Sequence, residues 1–303
     1  MSKLIRIGTR DSQLALWQAN TVKEKLEKLG YETMLIPVKA AGDLVLDKPL
    51  YELGITGVFT KTLDVAMLNG QVDIAVHSMK DVPTLLPQGI VQTAVLERGN
   101  ASDILVTNGP YDLTKHCTIA TGSLRRKAQW LKKYPHHSVV GLRGNVNTRL
   151  KKLADSDWQG AIFAKAGLKR LNIKPTEIIN LDNWMIPAPA QGAMVIVAMQ
   201  NDKYSIDATT QLNHKETAIC TQIEREFLRV LEGGCSAPIG AYVEIIKNHV
   251  VFKGNLLLLD GSDGFEESRM IPLNSAKDLG SRIAKQVLAN GGKELMEEIK
   301  KSL

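Results

Sequence analysis

The sequence predicts an α/β protein, with two lobes built on mainly parallel sheets and a small α+β domain after them. Three observations carry this. Short apolar runs alternate with amphipathic helical stretches from residue 4 to residue 199, the rhythm of strands joined by helical crossovers. The rhythm stops near residue 213, where a helix, a Gly-Cys-Pro loop, long strands and a closing helix follow. And 303 residues exceed what one hydrophobic core serves. The expected division is 1–96 with 193–212, then 97–192, then 213–303.

"KLIRIG" reads as the first strand. "DSQLALWQANTVKEKLEKLG" reads as a helix capped by Ser12, with Ala15, Leu16, Ala19, Val22, Leu26 and Leu29 on one face and Gly30 as its stop. "ETMLIPVKA" is a strand. "AGDLVLDKPLYELGITGVF" is Gly-rich and aperiodic, the composition of a ligand-covering loop. "TKTLDVAMLNGQ" is a helix ended by Asn69-Gly70, and "VDIAVHS" a strand. In the next set, "SDILVT", "CTIAT", "SVVGL" and "GAIFA" are strands, and "SLRRKAQWLKKYP", "VNTRLKKLAD" and "KAGLKRLNI" are helices. "GAMVIVAM" is a buried strand that returns to the first lobe. "AYVEII" and "HVVFKGNLLLL" are strands of the last domain, and one helix runs from Ser275 onward.

Apolar residues at 44% and charged residues at 23% describe a globular chain. The net charge of +6 is spread along helix faces such as "VKEKLEKLG", and aromatics at 5% leave few platforms for base stacking, which argues against nucleic acid. Three cysteines without CxxC spacing argue against a disulfide framework or a zinc site, and no HExxH is present. Cys117 and Cys220 read as buried thiols. "MSKLIRIGTRDSQ" lacks the apolar core of a signal peptide and no run has the length of a membrane span, so the expectation is a cytoplasmic protein, without a membrane or metal partner.

Chemistry concentrates where strands hand over to helices. "GTRDS", "HSMKD", "TGSLRR" and "GLRGNVNTR" each follow a strand and offer cations or hydroxyls beside exposed helix N–H groups, which suits anions. Arg10, Arg125, Arg126, Arg143 and Arg149 fall at these junctions; each can grip a carboxylate in bidentate fashion or serve a salt bridge. Neither a P-loop nor a GxGxxG pattern is present. Asp81 is a carboxylate amid positive charge, suited to stabilise a cation and move protons, or to cap a turn before Val82-Pro83. His77 reads as structural, and His136-His137 as a solvated turn. Cys235 in "EGGCSAPIG" sits on a loop shaped by Gly233, Gly234 and Pro238, either as a turn filler or as an accessible thiol.

The ordered set "GTRDSQLALWQA", "DIAVHSMKDVP", "TGSLRRKAQ", "LRGNVNTRL", "AGLKRL", "PAPAQGA" and "LEGGCSAPIGAY" covers nearly the whole chain and strongly resembles the porphobilinogen deaminase (hydroxymethylbilane synthase) family. The resemblance implies two lobes of the periplasmic-binding-protein kind around a cleft, plus a small third domain. It also implies that Cys235 carries a dipyrromethane by a thioether and that Asp81 is the catalytic aspartate. In that chemistry porphobilinogen loses ammonia, the resulting azafulvenium is attacked by the terminal pyrrole, and four additions followed by hydrolysis give hydroxymethylbilane. By the same resemblance Ser12, Ser78, Lys80, Asp81, Thr121, Ser123, Arg125, Arg126, Arg143 and Gly144 hold the cofactor, and Arg10, Ser12, Phe59, Arg143, Arg149 and Gln191 meet substrate. A monomer that passes its product to uroporphyrinogen-III synthase is implied as well. The chain departs from the family pattern at Glu52, Ile55 and Thr56, where a lysine-bearing glycine loop is common, and at Gly122, where a serine is common. Two rival readings are a solute-binding protein and an effector-binding regulator. The first leaves the Cys235 loop unexplained, and the second requires a helix-turn-helix segment, for which no room is expected before the first strand.

Overall fold

The computed structural model describes residues 3–38, 60–109, 111–231 and 237–303. The Gly-rich segment with Glu52, Ile55, Thr56 and Phe59 lies outside the described residues, as does Cys235. Packing divides the chain into two compact units, one holding the first of three sheets and the other holding the second and third.

The first sheet comprises β1 (Ile5–Thr9), β2 (Thr33–Pro37), β3 (Ile74–Ser78), β4 (Ile90–Val95) and β10 (Met194–Met199), in the order β2-β1-β3-β10-β4. β1 is parallel to β2 and β3, while β10 is antiparallel to β3 and β4. "GAMVIVAM" supplies β10, a strand between β3 and β4 in this sheet. Ile5, Ile7, Ile74, Val76, Ile196 and Ala198 pack on Ala19, Val22 and Leu26 of α1 (Gln13–Lys28). The strand residues alternate in sequence because successive side chains face opposite sides of a sheet. α1 starts where Ser12 Oγ accepts from Ala15 N–H. It stops at Gly30 (φ 88°), where Gly30 N–H donates to Glu27 O and Tyr31 N–H to Leu26 O. This left-handed stop is cheapest for a residue without Cβ. α2 (Lys61–Leu68) ends in the same way at Gly70. β4 and α6 (Lys203–Thr210) complete this lobe.

The second sheet has the same plan. β5 (Asp103–Thr107), β6 (Thr118–Ala120), β7 (Ser138–Val140), β8 (Gly160–Ala164) and β9 (Ile178–Asn180) lie in the order β7-β6-β8-β5-β9. β6 is parallel to β7 and β8, with α3 (Leu124–Lys133), α4 (Val146–Ala154) and α5 (Lys165–Arg170) as connections. The strict parallel rhythm fails at β5, which is antiparallel to β8 and β9. No helix is described between β5 and β6, so no helical crossover carries the chain back to run β6 parallel to β5. Ile104, Val106, Ala161 and Phe163 face Leu153 and Leu168, while Leu105, Ile119 and Ile162 face Trp130. Burial on both faces explains why these strands read as unbroken apolar runs.

The third sheet is an antiparallel meander of β11 (Ile239–Ile246), β12 (His249–Leu257) and β13 (Gly264–Pro272). Lys247 (φ 47°) and Asn248 (φ 65°) make its two-residue hairpin. α7 (Lys215–Val230) lays Ile223 and Phe227 on Val243 and Phe252, with the two rings 5.2 Å apart and edge-to-face. Two helices follow where one was expected, α8 (Leu279–Val287) and α9 (Lys293–Lys301), because Gly291 at φ 110° breaks the run. Cys117 and Cys220 are buried thiols. His137 is not a solvated turn: it is buried, accepts from Trp130 Nε1–H at 3.1 Å and stacks on Tyr134.

α8 crosses α7 at Gly280, where a Cβ would stand 2.0 Å from Ile223 O. Gly280→Ala is therefore expected to lower the unfolding free energy by about 1–3 kcal/mol, read by urea denaturation.

Candidate anion and proton-transfer site at the strand ends

In the first lobe, β1 ends at Thr9, whose hydroxyl donates to Arg10 O at 3.1 Å. Arg10 is half-buried between the strand end and the Ser12 cap. β3 ends at Ser78, whose Oγ accepts from Gln18 Nε2 at 2.8 Å. The chain then makes one 3-10 turn, Met79–Asp81. Met79 N–H donates to Ala193 O at 3.0 Å and its side chain is buried, which pins the turn to β10. Lys80 and Asp81 are left half-buried beside it. Among the described residues no donor reaches the Asp81 carboxylate, so that group remains available to a guest. His77, just before this turn, is buried, and no described residue partners its Nε2. Burial, with the nearby Arg10 cation, pushes its imidazole down to about 4, so it stands neutral at pH 7.

In the second lobe, Thr121 follows β6 and its Oγ1 accepts from Ser123 N–H at 3.3 Å. Ser123 Oγ in turn caps α3 by accepting from Arg126 N–H at 3.4 Å. Ser12 and Ser123 are thus both helix caps, with hydroxyls already serving the backbone. After β7, Arg143 is half-buried, and burial lowers its guanidinium pKa. Gly144 (φ 109°) makes the left-handed turn that a Cβ would block 2.7 Å from Thr148 Cγ2. Asn145 Oδ1 caps α4 by accepting from Thr148 N–H at 3.0 Å, and Arg149 sits in the first turn of that helix. Gly122, where the resemblance puts a serine, leaves no room for a side chain: a Cβ would lie 2.5 Å from Leu142 O.

The five arginines expected as ligand grips do not form one set. Arg125 and Arg126 turn inward. Arg125 Nη2 and Arg126 Nη2 meet opposite oxygens of Asp103 at 2.8 and 2.7 Å, while Arg125 Nη1 donates to Ile186 O and Arg126 Nη1 to Ile162 O. For these two the structure realises the salt bridge, not an exposed grip. Gln191, expected near substrate, is buried as well, and its Nε2 donates to Asp103 Oδ1 at 2.8 Å and to Ala101 O at 2.7 Å. Burial alone would raise the Asp103 carboxyl; the two guanidiniums and Gln191 hold it well below the usual carboxylate range. Two cations against one carboxylate leave one positive charge in this cluster, and Arg125 Nε has no acceptor. Asp103 itself escaped sequence reasoning. Its signal was an acidic residue opening the apolar strand "SDILVT".

In each lobe taken by itself, the cations and hydroxyls at the strand ends suit a carboxylate-bearing guest. The family description "Porphobilinogen deaminase, dipyromethane cofactor binding domain" matches residues 5–207, and "Porphobilinogen deaminase, C-terminal domain" matches 218–289. The chain is 40% identical to the porphobilinogen deaminase of Geobacter sulfurreducens over 97% of its length and 94% of the relative's. It is 41% identical to that of Campylobacter jejuni strain RM1221 over 98% of both chains, and 39% identical to that of Desulforamulus reducens over 99% of both. It belongs to the porphobilinogen deaminase family. Among solved structures, the periplasmic VFT2 domain of Bordetella pertussis BvgS matches 69% of this chain and 86% of its own with a TM-score of 0.43 and 11% identity. No helix of the described residues is long and apolar enough to cross a membrane.

His77 makes stability depend on pH. Unfolded, its imidazole takes a proton near pH 6.5; folded, only near pH 4. Between those values the unfolded chain binds more protons, so the contribution is whole above pH 6.5 and is lost as pH falls toward 4, by about 3 kcal/mol in all. Urea titrations at neutral and acid pH are expected to show this loss, and His77→Gln to flatten it.

Proposed function

We propose that the protein condenses four porphobilinogen molecules head-to-tail, with loss of ammonia, onto a dipyrromethane held by Cys235, and releases hydroxymethylbilane by hydrolysis. The observation that carries this reading is the half-buried Asp81 carboxylate, which no donor among the described residues reaches, on a turn pinned between β3 and β10. Family membership and the cationic strand ends support it. When bound, the dipyrromethane supplies the pyrrole carbon to which the next ring is joined.

The chain's own residues do the rest. Asp81 accepts hydrogen bonds from pyrrole N–H groups and stabilises the positive charge that develops as ammonia leaves. Lys80 and Arg10 in the first lobe, and Arg143 and Arg149 in the second, bind acetate and propionate groups. Each charge-assisted hydrogen bond contributes about 1.5–3 kcal/mol. Ser12, Ser78, Thr121, Ser123 and Gly144 set the backbone and hydroxyls around those cations. Arg125, Arg126 and Gln191 act from behind, supplying the field of a buried cluster with one positive charge in excess. Phe59 is retained as a substrate contact on the resemblance alone.

Intact mass of the denatured protein is expected to show an excess of two porphobilinogen units less two ammonias, mapped to Cys235. No excess after incubation with porphobilinogen would remove the reading. Asp81→Asn is expected to stay primed but to lose roughly 10²- to 10⁴-fold in kcat, and normal turnover would take Asp81 out of the chemistry. Arg143→Glu is expected to raise KM or block priming in the same steady-state and mass measurements, and unchanged values would refute the carboxylate grip.

A further inference from the structure

Glu224 lies on α7 with no exposed surface and has no part in the chemistry above. A buried carboxylate needs donors to offset its lost hydration. Its Oε2 accepts from Ala190 N–H at 2.6 Å and its Oε1 from Val243 N–H at 2.7 Å. Val243 is on β11. α7 ends at Val230 and β11 begins at Ile239, so one side chain joins the element leading into the Cys235 segment to the element leading out of it.

The other contact is equally specific. Ala190 is buried at φ 62°, a left-handed conformation that its Cβ disfavours and that its surroundings must enforce. The next residue, Gln191, donates to Asp103, which holds Arg125 and Arg126. A continuous path therefore runs from β11 through Glu224 and the backbone of Ala190 and Gln191 to the arginine pair.

We propose that Glu224 is a positioning residue, which fixes both stems of the Cys235-bearing segment against residues 190–191 and so keeps the bound pyrrole chain in register with the second lobe. This rests on Cys235 being the attachment point. Registration matters because a displacement of about 1 Å at a reacting group can cost 10²-fold in rate.

Glu224→Gln keeps the side chain's size but turns an NH₂ toward a backbone N–H, so one of the two bonds is lost. The test compares full-length wild type, Glu224→Gln and Ile283→Val, a core change on α8 away from the path. Intact mass, Tm, kcat and KM are measured at a temperature well below every Tm. The expected result is a primed Glu224→Gln protein with kcat lower by roughly ten- to hundredfold and KM within about twofold of wild type, since ground-state binding is untouched. Ile283→Val is expected to lose Tm without losing kcat. A primed Glu224→Gln with wild-type kcat and only a lower Tm overturns the proposal, because that is the behaviour of a purely structural staple. If Glu224→Gln does not fold, Glu224→Asp, which keeps the charge but cannot span both N–H groups, carries the same comparison. Failure of the underlying reading shows separately, as a wild type with no covalent mass on Cys235.

Discussion

Asp103 is a carboxylate with no exposed surface, and the second lobe is arranged around it. It receives Arg125 and Arg126 from the first turn of α3 and Gln191 from the segment that leaves the lobe. Burying three charges is costly, and removing one partner of such a cluster generally costs 3–5 kcal/mol. The chain tolerates the arrangement because almost every donor finds an acceptor: Arg125 and Arg126 also reach Ile186 O and Ile162 O. Arg125, Arg126 and Asp103 together sum to one unit of positive charge, in a lobe whose strand ends carry Arg143 and Arg149 as well. For a ligand built of acetates and propionates, that surplus is an attractive field that needs no rearrangement when the ligand binds.

One topology used twice sets the polar groups in place. Each five-stranded sheet has three parallel strands, one antiparallel strand and an outer strand in the same order. In parallel strands all carboxyl ends fall on one edge, so the turns after β1 and β3, and after β6 and β7, lie at the edge where open α/β sheets bind ligands. Caps fix these turns locally. Ser12, Ser123 and Asn145 each satisfy an N–H of the following helix, and the cationic side chains are carried by those capped turns. Met79, buried and bonded to Ala193 O, does the same for Asp81.

Much of this was legible in the sequence, for identifiable reasons. Ser12 and Gly30 bracket α1 because capping and left-handed stops depend on residues a few positions apart. The apolar strands were legible because burial on both faces leaves no polar positions. The direction of β5 was not, since five apolar residues read alike whichever way they run. β13 was missed because an edge strand with charged residues such as Glu266, Glu267 and Arg269 lacks alternation. The roles of Arg125 and Arg126 were not legible either. Sequence places them at a helix start, but the carboxylate that turns them inward sits 22 and 23 residues away. Glu224 was invisible for a similar reason, as its acceptor role depends on N–H groups 34 residues before it and 19 after it.

A carboxylate-bearing ligand completes the charge balance that Asp103 leaves open. The direct measurement is the difference in unfolding free energy between the primed protein and its Cys235→Ser form, made with Asp103 and again with Asp103→Asn. Neutralising Asp103 doubles the surplus charge, so the bound ligand's carboxylates should stabilise the variant more than the parent and the difference should widen. A difference unchanged by Asp103→Asn would show that the ligand does not sense the buried cluster, and would contradict the account.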